Sequence, residues 1–163
     1  MIEHANWSDF FVAEVGAAAA LAGLLFVAIS INLERILSVA QLPGRAAEML
    51  LMLVGAMITS SLCLIPAQRP LVLGAQLVGC GAFMVIGSLL AQVKSFLTIK
   101  DQKPEWLIWR FMIVPATSVP IFIGGVMTIA GGGNGLYWTA AGVLVTLSVT
   151  VWNAWILLIE IKR

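Results

Sequence analysis

The amino-acid sequence predicts an all-α integral membrane protein: one domain over residues 1–163, a bundle of five transmembrane helices, N-terminus outside and C-terminus cytoplasmic. Three observations carry this. Apolar residues make up 61% of the 163, and 15 glycines lift that share to about 70%, against roughly 45–50% in a soluble domain. The nine basic and eight acidic residues leave charge-free stretches at 15–33, 49–68, 70–93 and 111–159. Each of the first three is about one bilayer crossing of roughly 20 residues, and the last is long enough for two. Finally, Lys and Arg are distributed unevenly between alternate loops, which sets direction. A soluble enzyme, a disulfide scaffold and a disordered tail are excluded by composition. A formal net charge of +1 gives no basic footprint for nucleic acid, so no nucleic-acid partner is expected.

The first span is expected over about 8–32, opened by Trp7, Phe10 and Phe11, aromatic residues that favour the headgroup boundary. No basic segment precedes it and no convincing cleavage site follows a short apolar core, so a removed leader is not expected. Beyond it, Ile36, Leu37 and Val39 keep helical apolar spacing until Pro43-Gly44, which predicts that the first helix projects a few turns past the membrane. The second span covers 49–65 and stops at Pro66; the third covers 71–92, with a helical extension through 94–99. Lys103-Pro104-Glu105 opens the fourth, 106–130, because proline suits the first helical turn and a carboxylate suits a helix N-terminus. Gly131 to Gly135, interrupted only by Asn134, ends that span in a turn, and the fifth covers 137–158.

On this threading one side holds Arg35, Arg45, Lys94, Lys100, Lys103, Arg110, Lys162 and Arg163, and the other only Arg69. Basic residues are retained on the cytoplasmic side, so both the orientation and the odd number of spans follow. The expected location is a multi-pass position in a plasma membrane of bacterial type. There is no internal repeat and no separate soluble domain.

Chemistry has few parts to work with. His4 is the single histidine, and Cys63 and Cys80 lack CxxC spacing, so no catalytic residues, no cofactor and no metal site are predicted. The two cysteines read as buried packing residues. Glu14 stands out. It lies about 7 Å below the boundary marked by Asp9 at helical rise, where a carboxylate is costly unless neutral, paired or facing water. Ser60, Ser61, Gln76 and Gly124-Gly125 are expected near the same depth. Either Glu14 lines an acidic vestibule, or it is a neutral carboxyl hydrogen-bonded to Gln76 or a serine. Helical phase places Glu14, Ala18, Leu21, Leu25, Ala28 and Asn32 on one stripe, opposite Gly16, Ala20, Gly23, Val27 and Ser30. That suits a pore-lining helix in an oligomer, or a central helix wrapped by the others.

Gly74, Gly81 and Ser88 recur every seventh residue in the third span, with Ala75 and Gly79 beside them, as tight helix packing requires. Pro115, Thr117, Ser118 and Pro120 are candidates for a break in the fourth span, since each proline removes a backbone hydrogen bond. Trp106, Trp109, Trp152 and Trp155 toward one side, and Tyr137 with Trp138 toward the other, read as anchors at the membrane surfaces rather than as quinone or haem contacts, while Trp152 with Asn153 is deep enough to leave room for a lipid-tail pocket.

Two functional expectations follow. One is a homo-oligomeric cation or proton pathway with ion-pathway candidates Glu14, Asn32, Ser60, Ser61 and Gln76. The other is a non-catalytic accessory or assembly subunit of a larger membrane complex. Membrane lipids, further copies of the chain or a larger membrane complex are the expected partners.

Overall fold

A computed structural model describes residues 5–39, 42–98, 104–131 and 133–162. They form six helices: α1 (Ala5–Ile31), α2 (Leu33–Ser38), α3 (Leu42–Cys63), α4 (Pro70–Thr98), α5 (Pro104–Ile129) and α6 (Gly135–Lys162), with no strand among the described residues. Four stretches are long and apolar enough to cross a membrane: Trp7–Ile31, Leu42–Cys63, Pro70–Leu90 and Gly135–Ile159. In α5 the described apolar stretch is Val114–Ile129. His4, Lys100 to Lys103 and Arg163 lie outside the described residues.

Two boundaries differ from expectation. The first helix does not run on past Asn32. There the backbone leaves helical geometry (φ −109°, ψ 21°), while the side-chain Nδ2 donates to the Ala28 carbonyl at 2.8 Å. The Asn32 N–H turns to Ile29 O at 3.2 Å, and Asn32 O accepts the Ile36 N–H at 2.9 Å. An asparagine amide that takes the carbonyl normally claimed by its own backbone N–H ends one helix and starts another. Pro43-Gly44, expected as a breaker, instead lies in the first turn of α3, where a missing N–H costs nothing. The second span accordingly starts seven residues earlier than its sequence boundary at 49. The helical extension of the third span runs to Thr98.

Helices α3, α4, α5 and α6 pack each on the next, and α6 returns to α3, which closes a four-helix ring; α1 lies outside it, chiefly on α3 and lightly on α6. The central helix is therefore α3 and not α1. Its buried residues Met49, Met52, Leu53, Gly55, Ala56, Thr59 and Ser60 cover more than one face, whereas the described side chains of α1 are fully buried only at Phe11, Ala18 and Leu25, one seam at seven-residue spacing.

Small residues set how closely the ring packs. A Cβ on Gly125 would stand 2.7 Å from Val78 N and 2.8 Å from Gly74 O, and one on Gly124 would stand 2.7 Å from Gly135 O and 2.9 Å from Thr139 N. One Gly-Gly pair thus brings α5 to backbone contact with α4 on one side and α6 on the other. Gly81 meets Phe122, and Ser88 is fully buried, so the seven-residue series on α4 is an internal seam. Between α3 and α4, Gly55 receives Met84 and Gly87 receives Leu51. Close approach of this kind replaces the hydrophobic drive that lipid, itself apolar, cannot supply.

The expected break in α5 does not form: the helix is continuous with Pro115 and Pro120 inside it. Thr117 Oγ1 donates to Val114 O at 2.9 Å and Thr146 Oγ1 lies 3.5 Å from Thr117 O. The prolines deprive the carbonyls of Phe111 and Ala116 of their usual donors, and membrane helices tolerate this where neighbouring helices, hydroxyls and local adjustment satisfy the freed groups.

Candidate functional site

Trp7 stacks on Phe11 at 5.9 Å and meets Tyr137 edge-on at 4.7 Å between ring centroids. This aromatic group ties the start of α1 to the start of α6 and defines one end of the bundle. Two turns below Trp7, Glu14 lies on the inward seam of α1. The side chain is half-buried, and its Oε2 is shielded from solvent without a hydrogen-bond partner.

Ala18 on α1 and Ala56 on α3 belong to the same core cluster, and Glu14 and Ser60 each lie four residues along the helix from one of them, about 6 Å at helical rise. Ser60 is fully buried and its Oγ also lacks a partner. A shielded polar atom without a protein partner is unusual, because it forfeits the hydrogen bonds it would make in water.

The other candidates do not join them. Gln76 accepts a hydrogen bond from Gln68 Nε2 at 3.0 Å, so it does not hold Glu14, and α4 has no substantial packing on α1. Ser61 points outward. Asn32 sits at the far end of α1, engaged with Ala28. Gly124 and Gly125 serve helix packing and contribute nothing to the Glu14 level. Thr117 and Ser118 are buried 3.5 Å apart, between oxygens, in the α5–α6 contact. Below Glu14 the seam is apolar: Ala18, Leu25, Ala56, Val143 and Leu147 are all buried in one cluster.

Two polar groupings were not anticipated. Gln68, in the loop between α3 and α4, caps Gln76. At the opposite end of the bundle Arg45 is only 8% exposed, in the first turns of α3, and Gln92 Nε2 on α4 donates to Glu48 Oε1 at 3.0 Å. The three-residue step from Arg45 to Glu48 was the available signal, since it puts both on one helical face. Both residues precede the charge-free run that opens at 49, so a span bounded by that run leaves them out.

The outward face of α1 is the remaining feature. Gly16, Ala20, Gly23, Val27 and Ser30 are all exposed, and a Cβ on Gly16 or Gly23 would meet nothing within 4 Å. Cys63 and Cys80 are free thiols, with Cys80 Sγ 3.2 Å from Thr59 Oγ1. Among the described residues no group of three His, Cys, Asp or Glu is placed to hold a metal ion. Comparison with protein-family models, curated proteins and solved structures gives no match.

Proposed function

We propose that this chain is a non-catalytic accessory subunit that docks the small-residue face of α1 against a helix of a larger membrane complex. The observation that carries the reading is the asymmetry of α1. One seam binds it to the bundle, and the opposite face is small, exposed and met by none of the described residues at Gly16 or Gly23. Against lipid alone such a face gains little, whereas against a helix it allows close backbone approach. The test is purification in mild detergent of the parent and of Gly16→Leu/Gly23→Leu. A stoichiometric foreign membrane protein retained by the parent and lost by the variant supports docking.

In this reading α1, α3, α4, α5 and α6 each cross the membrane, with the Trp7–Tyr137 end outside and Lys162 in the cytoplasm. The uneven count of Lys and Arg supports that direction. In a Cys63→Ser/Cys80→Ser background, single cysteines introduced at Ser8 and Asn134 should react with a membrane-impermeant maleimide in intact cells; labelling only after lysis would reverse the orientation.

A second reading is favoured by the shielded, unpartnered Glu14 Oε2 and Ser60 Oγ: a proton or cation site at the outer mouth of an oligomer. It ranks second because the seam beneath Glu14 is apolar and packed. On this reading Glu14→Gln in proteoliposomes lowers cation or proton flux while leaving the folded yield intact. No flux in the parent, or equal flux in both, would sink it.

A further inference from the structure

On the half of the bundle away from Trp7, α1 and α6 part company. Their light contact leaves a cleft of about 250 Å³ whose walls include Leu24 and Ala28 of α1, Leu53 of α3, and Ala154 and Trp155 of α6, with Ile36 of α2 at its foot. The cleft opens sideways. Leu24 is 69% exposed on one lip and Trp155 62% exposed on the other. The one hydroxyl in its wall, Thr150, donates to Thr146 O at 2.7 Å, and apart from the indole N–H of Trp155 the other lining side chains are hydrocarbon.

We infer that this cleft seats one acyl chain of a glycerophospholipid from the leaflet at the α2 end, with the lipid phosphate beside Arg35. Size and charge choose the occupant. The α1 wall runs from Leu21 to Ile29, about 12 Å at helical rise, close to the roughly 15 Å depth of one leaflet. Over that length the wall offers an unbranched hydrocarbon chain continuous carbon contacts at about 4 Å. Arg35 is exposed next to Ile36, where a guanidinium can pair with phosphate. Glu34 is its acidic neighbour on α2, and Lys162 follows four residues after Leu158 in the sequence of the α6 wall.

The inference does not depend on docking through the opposite face of α1. Its test is native mass spectrometry of the full chain, delipidated in mild detergent and titrated with phosphatidylglycerol or phosphatidylcholine. The parent should hold one phosphatidylglycerol per chain. Ala28→Trp, which fills the cleft, should weaken that binding about tenfold or more, and so should Leu24→Trp, which obstructs the mouth without entering the core. Leu90→Trp, exposed on α4, should bind as the parent does. Arg35→Gln should reduce the preference for phosphatidylglycerol over phosphatidylcholine. If Ala28→Trp fails to fold, Leu24→Trp decides. No lipid on the parent overturns the inference, as does undiminished binding by a folded Leu24→Trp. A dimer that Leu24→Trp dissociates with lipid still bound would assign the cleft to a second copy and overturn it equally.

Discussion

Gly125→Val is expected to lower the melting temperature of the bundle by about 6–12 °C. The position leaves no room for a side chain: a Cβ would press on Val78 N and Gly74 O, both backbone atoms of α4, so no rotamer change can relieve it. Two helices must move apart, and the same movement loosens Gly124 from Gly135 and Thr139 on α6. Overpacking commonly costs about 1–3 kcal/mol, and a clash between backbones falls at the upper end. About 3 kcal/mol corresponds to the stated shift at roughly 2–4 °C per kcal/mol for a chain of this size. Gly79→Val on the exposed side of α4, where nothing stands within 4 Å, is the matched control and should melt close to the parent. Equal melting temperatures for the two variants would mean that α4 and α5 do not meet at Gly74 and Gly125.

Gly16→Leu/Gly23→Leu should do the opposite: leave the melting temperature unchanged and abolish association. A Cβ at either glycine meets nothing within 4 Å among the described residues, so two leucines add no internal strain. Against a partner helix each holds the backbones apart and removes the contacts that close approach provides. A central interface residue commonly carries about 2 kcal/mol or more, roughly 30-fold in affinity per site. Two such losses take a stable complex below detection in detergent. Retained association with unchanged stability would move the docking surface elsewhere.

Much of the helical pattern was legible because the bilayer simplifies it. Charge-free runs mark the apolar spans, Pro104 and the Gly-rich turn mark ends, and the Gly74–Gly81–Ser88 period marks a seam. The direction in which α1 faces was not legible. Its residues are apolar or small all round, so sequence periodicity gives two stripes and no rule for which one meets protein. The structure turns Glu14, Ala18 and Leu25 inward and leaves Gly16 and Gly23 outside. That choice is fixed by the complementary surfaces of α3 and α6, including Ala56 and Val143, far away in the chain. Asn32 was read as the end of a stripe, because a side chain that competes for a backbone carbonyl has no signature in hydropathy. Gln76 was matched to Glu14 by depth alone; depth does not say which helices are neighbours, and Gln68 is nearer.

The mass of the native particle in mild detergent, measured for the parent and for Gly16→Leu/Gly23→Leu, tests the central claim most directly. The docking account predicts a parent particle containing this 17.4 kDa chain and a different membrane protein in fixed ratio, and a variant particle containing this chain alone. A parent that forms a clean symmetric homo-oligomer, or one that is monomeric like the variant, would contradict it.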